Sequence, residues 1–255
     1  MIHRELIERN FSKHAKEYDR YSTVQNLCAK RLVKDINYEG FRKILDVGCG
    51  TGNLTALLLN KFPLAQIKAI DISKGMIKVA KNKLSGKRIT FAVADGESIC
   101  FKERFDLISS NASFQWFENL QKALSIYKRL LSKGGLIIFS IFGPNTFCEL
   151  SSSLSELLGK EVKIQAHSFT EKGQIKEMLR ASFNKIEIEQ VLLKEKNTSL
   201  LALLKKIKYT GTRGNGISGN LTLTPKILRD IEKIYRNKFN EIIATYEVYF
   251  CKGVK

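Results

Sequence analysis

An α/β fold, with a mostly parallel sheet and helices on both faces, follows from three features of this sequence. A short apolar run, Ile44 to Val47, enters glycines at alternate positions, Gly48, Gly50 and Gly52, and a helical pattern (Leu54, Leu57, Leu58, Leu59) starts at once. Four further runs of strand length, Ile67 to Asp71, Ile89 to Val93, Phe105 to Ser110 and Leu136 to Phe142, are separated by segments with helical patterns. Acids stand at strand ends: Asp71 closes the second run, and Asp95-Gly96 follows the third. Strands that alternate with helices run parallel, and such sheets bind ligands at their carboxyl ends.

Each element has a local reason. The glycines let the backbone turn sharply and approach a ligand, where a Cβ would block both. A dinucleotide fingerprint would put its third glycine at position 53, which is Asn53, so G-x-G-x-G argues against a pyrophosphate ligand. Asp71 comes 19 residues after Gly52, about where a carboxylate accepts ribose hydroxyls. Asp95, beside Gly96, suits the edge of an adenine and its exocyclic amine. Either acid alone also reads as a helix cap. A helix is expected over Lys74 to Leu84, the fourth strand leads into Asn111, and Leu131-Ser132-Lys133-Gly134-Gly135 reads as a helix end before the fifth strand.

Taken in this order, Asp46-Val47-Gly48-Cys49-Gly50-Thr51-Gly52, Asp71, Asp95-Gly96 and Leu131 to Gly135 resemble the class I S-adenosylmethionine-dependent methyltransferases over roughly residues 40–142. The resemblance implies a Rossmann-like fold with a seven-stranded, mostly parallel sheet, and S-adenosyl-L-methionine as cofactor. It implies that Tyr18, Gln25, Asp46, Gly48, Gly50, Gly52, Asp71, Ile72, Asp95, Gly96 and Asn111 form the cofactor site.

Composition bounds the rest. The 255 residues suffice for one α/β domain with an elaboration, and no apolar run approaches the roughly 20 residues of a membrane span. The five cysteines, Cys28, Cys49, Cys100, Cys148 and Cys251, form no C-x-x-C pair, and His3, His14 and His167 are dispersed. No metal site is expected, and the thiols suit a reducing, cytoplasmic setting. The 43 basic and 25 acidic residues give a net charge of +18, which attracts polyanions, although lysine-rich background usage yields the same number.

Three parts are expected along the chain: an N-terminal helical lid (1–40), the cofactor-binding domain (41–195 and 241–255), and a helical insertion before the last strand (196–240). In the first, Phe11, Ala15, Tyr18, Val24, Leu27 and Cys28 have helical spacing with a break near Tyr21-Ser22, and Arg4, Arg9, Lys13, Lys16 and Arg20 make the other side basic. A helical stretch over Thr146 to Leu158 and another over Thr170 to Leu179 precede an alternating strand at Ile186, Ile188 and Gln190. In the insertion, Ser199 to Lys208 reads as one helix, and Thr224-Pro225 starts a second with an N-cap and a proline at the first position. Tyr246 to Cys251 reads as the last strand.

The acceptor is addressed by the flanks. The prolines, Pro63, Pro144 and Pro225, allow neither an N-P-P-Y loop nor a Pro-Cys nucleophile, which disfavours base methylation by those routes. The stretch Ser110 to Trp116 resembles that of enzymes esterifying small carboxylic acids, including the trans-aconitate methyltransferases. Asn10 to Asp19, Leu204 to Arg213, His167 to Thr170 and Thr245 to Val248 are similar to the malonyl-[acyl-carrier protein] O-methyltransferases of biotin synthesis, nearly end to end. That resemblance implies an acidic acyl-carrier protein as partner, Tyr18 and Arg213 as positioning groups with no general base, Tyr21 and Trp116 shaping the pocket, and Lys205, Lys206, Lys208 and Arg213 facing the carrier. Other acceptors considered are a free small acid or a quinone precursor; a third reading is an RNA-binding protein on the same fold, against which the intact Gly48, Gly50, Gly52, Asp71 and Asp95 argue.

Overall fold

A computed structural model describes residues 4–38, 40–86, 88–211 and 224–255. Seven strands form one sheet: β1 (Lys43–Val47), β2 (Gln66–Asp71), β3 (Ile89–Val93), β4 (Phe105–Asn111), β5 (Leu131–Phe142), β6 (Lys185–Asn197) and β7 (Ile242–Val254). Their order is β3-β2-β1-β4-β5-β7-β6, with β7 antiparallel to both neighbours and all other pairs parallel. The helices are α1 (Arg4–His14), α2 (Tyr18–Tyr21), α3 (Thr23–Lys34), α4 (Asn53–Lys61), α5 (Lys74–Lys83), α6 (Leu120–Leu130), α7 (Cys148–Leu158), α8 (Lys172–Ser182), α9 (Leu200–Tyr209) and α10 (Pro225–Phe239). Among the described residues, no helix is long and apolar enough to cross a membrane.

Strand periodicity sorts the core into two layers. Ile44, Ile67, Leu107 and Ile138 pack with Leu32 of α3, Leu54 and Leu58 of α4, and Leu203 and Tyr235 of the last two helices. Their sequence neighbours Leu45, Ile108 and Ile137, together with Ile70, face the opposite way, against Leu124 and Tyr127 of α6 and Ile175 and Leu179 of α8. Every central strand is therefore apolar on both faces, as a covered parallel sheet requires. The expected insertion lies between β6 and β7 as α9 and α10, and it shares the first core layer.

Helix starts follow the capping residues. Ser73, Asn119, Ser199 and Thr224 each accept a hydrogen bond from a backbone N–H of the first turn. Several boundaries differ from expectation. The N-terminal helical run breaks twice, after His14 as well as near Ser22, and Leu27 turns outward at 51% exposed. Leu131 to Gly135 is strand rather than helix end, because Phe105 pairs Leu131 and Leu107 pairs Leu136, so the extra residues bulge with Gly134 at φ 73°.

Asp46, near the end of β1, is fully buried and joins three elements. Its Oδ2 accepts from Thr55 Oγ1 of α4 at 2.6 Å, and its Oδ1 accepts from Ser109 Oγ of β4 at 3.2 Å. Burial pushes its carboxyl up to about 7, against the two hydroxyl donors, which pull down. A carboxyl raised on folding binds its proton more tightly in the native state. Its stabilising contribution is complete below about pH 4 and is lost as pH rises through about 7. Asp46→Asn removes that dependence: between about pH 5 and 8 wild type should lose roughly 3 kcal/mol relative to the variant, read from denaturant unfolding at each pH. Parallel pH profiles would contradict this.

Candidate active site

The carboxyl ends of β1, β2 and β4 and the loop after β3 enclose a cavity of about 730 Å³, counting the space at its mouth. Gly48, Gly50, Asp71, Ile72, Asp95, Gly96, Asn111 and Trp116 line it, and Arg4, Ile7, Phe11 and Tyr18 cover it. A smaller pocket beside it, lined by Gln25 and Thr51, shares Tyr18, Gly48, Gly50 and Asn111 with the first.

Backbone geometry separates the three glycines of the turn, two of which line the cavity. Gly48 lies at φ 66°, and a Cβ there would meet Ser113 Oγ at 2.0 Å. Gly50 lies at φ 55° with nothing within 4 Å of its Cβ position, so its backbone borders open cavity. Gly52 lines neither pocket. It ends the turn at φ 84° as the N-cap of α4, and a Cβ would meet Leu84 Cδ1 at 2.9 Å, so it serves helix packing rather than ligand contact. Asp46 also lines neither pocket, because its carboxylate is turned to Thr55 and Ser109 beneath the turn. Both expected cofactor contacts are thus structural supports.

Asp71 ties two loops. Its Oδ2 accepts from Gly50 N at 2.8 Å and its Oδ1 from Ser73 N at 2.8 Å. Burial raises its carboxyl to about 6, while those two N–H donors hold it down. Each oxygen keeps a lone pair for a ligand hydroxyl. The Tyr18 phenol is pushed above its usual range, first by burial and then by the Asp71 and Asp19 carboxylates, so it stays protonated. Cys49, inside the turn, is held as a thiol by burial and by Asp71 and Asp46. Asn111 donates to the Gln25 backbone oxygen at 3.0 Å and accepts from Ser140 Oγ at 2.8 Å, which fixes its amide over the junction of the pockets. Gly96 has no room for a Cβ, which would meet Phe117 and Val47 at 2.8 Å, and its carbonyl accepts from Tyr127 OH.

On the acceptor side, Trp116 is 7% exposed, with Phe11 edge-on at 6.0 Å and Phe169 at 5.5 Å; its Nε1 has no hydrogen-bond partner. Tyr21 does not line either pocket; it stacks on Tyr209 of α9 at 4.7 Å. Of the expected basic patch, Lys205 and Lys208 are exposed, but Lys206 turns inward to Glu195 at 2.8 Å, where the half-buried carboxylate requires a countercharge. Arg213 lies outside the described residues. Among those described, no three His, Cys, Asp or Glu side chains converge on a metal site.

Sequence reasoning missed two anchoring groups. Asp19 accepts from Thr51 Oγ1 at 2.5 Å and Asn53 Nδ2 at 3.0 Å, and pairs with Lys83 at 2.9 Å, which pins α2 to the glycine turn. Arg4 pairs with Asp95 at 2.8 Å, Glu97 at 3.1 Å and Glu118 at 3.4 Å. Asp19 ends the family-like stretch Asn10 to Asp19 and Arg4 lies on the basic side of the first helix, but neither position announces its partner.

These features fit an adenosyl cofactor: an unobstructed glycine backbone, a buried carboxylate with spare lone pairs, and a second carboxylate at the end of the next loop. The model of a methyltransferase domain family matches residues 45–139. The malonyl-[acyl-carrier protein] O-methyltransferase 1 of Ilyobacter polytropus is 35% identical over 245 residues, covering 94% of this chain and 90% of its own. The malonyl-[acyl-carrier protein] O-methyltransferase of Priestia megaterium is 33% identical, covering 98% and 96%. Among solved structures, YcgJ from Bacillus subtilis superposes with a TM-score of 0.63 at 16% identity, over 90% of this chain and 98% of its own. Haemonchus contortus phosphoethanolamine N-methyltransferase 2, bound to S-adenosyl-L-methionine, gives 0.59 at 20% identity, over 95% and 57%. Those two share the fold. With relatives of that name 33–35% identical over at least nine-tenths of both chains, the chain belongs to the malonyl-[acyl-carrier protein] O-methyltransferase family, within the class I S-adenosylmethionine-dependent methyltransferases.

Proposed function

We propose that this enzyme transfers the methyl group of S-adenosyl-L-methionine to the free carboxylate of malonyl-[acyl-carrier protein], giving the methyl ester as an early step of biotin synthesis. The observation that carries the reading is similarity over nearly the full chain to enzymes of that name, the α9 and α10 region included. The chemistry is consistent with the site. When bound, the cofactor supplies a methyl group on a cationic sulfur. A malonyl carboxylate is already ionised near pH 7, so its oxygen can form the C–O bond as the C–S bond breaks, with no proton to move. The protein's task is to align the atoms and exclude water. Tyr18, held protonated, is suited to donate a hydrogen bond and not to act as a base.

The cofactor's adenosine fits with its ribose hydroxyls on Asp71 and its adenine towards Asp95. The acceptor fits on the side of Trp116 and Phe11, with Arg213 as the malonyl anchor. Lys205 and Lys208, exposed at the end of α9, suit an acidic carrier through electrostatic steering. Methylation removes the charge that a cationic anchor holds, which favours release. Five thiols with no disulfide among them suit a cytoplasmic enzyme.

The first test incubates the protein with S-adenosylmethionine and malonyl-carrier and reads the intact carrier by mass spectrometry. One added methyl per carrier is expected; no gain there, with turnover on a free acid, would overturn the assignment. Arg213→Ala should raise KM for malonyl-carrier about tenfold or more while KM for the cofactor stays put. Because the Asp71 carboxyl sits at about 6, binding of S-adenosylhomocysteine should weaken as pH falls through that value. Asp71→Asn should bind weakly at every pH, and titration calorimetry from about pH 5 to 8 distinguishes the two.

A further inference from the structure

Helix α1 crosses the mouth of the cavity and is held at its first turn by an ion-pair cluster. Arg4 Nη1 donates to Asp95 Oδ2 at 2.8 Å, and Nη2 reaches Glu97 at 3.1 Å and Glu118 at 3.4 Å. Glu97 is 5% exposed, and its other oxygen accepts from Asn119 N at 2.6 Å. A carboxylate so buried needs a countercharge, and Arg4 supplies it from a different element. The loop Asp95 to Ser98 is braced from within by Glu97 N and Ser98 Oγ on the Asp95 carboxylate, and from the α6 side by Asn119 and Tyr127, with no α1 side chain but Arg4 among its described hydrogen bonds. Arg4 is therefore the group that couples this loop to α1.

Further along, α1 lies against α5 at closest approach. Ser12 Oγ is 2.8 Å from Ser73 Oγ, and a Cβ on Gly75 would meet the Ser12 carbonyl oxygen at 2.6 Å. Phe11, between these two fixings, sits edge-on to Trp116 inside the cavity. The helix thus roofs the site with an apolar underside, and its ion-pair fastening among the described residues grips the loop that carries Asp95.

We propose that Arg4 is a cofactor-retention residue: it latches α1 over the adenine end of the cofactor by clamping Asp95, Glu97 and Glu118 together, and so sets how long the adenosyl group stays bound. The inference rests on the cofactor reading above. A planar guanidinium spans three carboxylates where an ammonium would hold one, so lysine cannot replace it. Arg4 is partly exposed, so its attraction is screened by salt. The adenosyl group's escape rate inherits that sensitivity.

Trp116 is the one tryptophan of the chain and touches α1, so its fluorescence reads lid and ligand together. Stopped-flow displacement of S-adenosylhomocysteine, followed at this tryptophan, tests the latch. Arg4→Ala should release the ligand about tenfold faster, and Arg4→Lys several-fold faster. Wild-type release should accelerate between about 0.05 and 0.5 M salt, whereas the alanine variant's should not. The double variant R4A/E97Q removes the stranded charge without restoring the latch, and it should still release fast. Return of the double variant to the wild-type rate would show that Arg4 merely neutralises Glu97 and would overturn the proposal, as would unchanged release and salt response in Arg4→Ala. If wild type binds no S-adenosylhomocysteine, the cofactor reading falls, and the latch with it.

Discussion

The Asp71 carboxylate is the fixing point of the site. One oxygen holds the glycine turn through Gly50 N, and the other holds the start of α5 through Ser73 N. Ser73 in turn caps α5 through Met76 N and meets Ser12 of α1. A single buried acid thus sets the spacing of two βα turns and, through one serine, the seat of the covering helix. A buried carboxylate is tolerated there because two backbone N–H groups, one in the glycine turn and one at the N-cap of α5, satisfy it. The same geometry leaves lone pairs free on a carboxylate that lines the cavity, so the side chain that supports the turns is also the one proposed to hold the ribose.

Beneath this lies a second acid with a purely internal role. Asp46 looks like a ligand contact in the linear motif because it stands two residues before Gly48. Its side chain is instead taken up by the Thr55 and Ser109 hydroxyls beneath the turn. It joins β1 to α4 and β4, the elements beside the glycine turn. The motif therefore mixes residues that meet the ligand with residues that hold the turn, and spacing does not separate them.

Much of the architecture was legible because periodicity and glycine placement act locally. The five parallel strands, the helix capped at Thr224 and the glycine turn all follow from short-range rules. The errors share a cause: they depend on partners distant in the chain. Leu131 to Gly135 became strand because Phe105 pairs with Leu131, and Lys206 left the basic patch because Glu195 stands opposite on β6. Gly52 resembles its two neighbours until Leu84 is placed beside it. The partners of Arg4 and Asp19 are distant in the chain, and their roles exist only once α1 and α2 are laid across the sheet.

The N-terminal helices and the insertion meet directly. Tyr21 stacks on Tyr209, His14 is edge-on to the same ring, and Gly211, in the left-handed region at φ 71°, leaves no room for a Cβ beside Phe11. Two segments separated by most of the chain are thus keyed to each other, ring against ring and backbone against ring. On the proposed reading, in which these two segments select the acceptor, that preference is not a detachable cassette: exchange of α9 and α10 would break the contacts with Tyr21 and Phe11 unless the N-terminal helices changed with them.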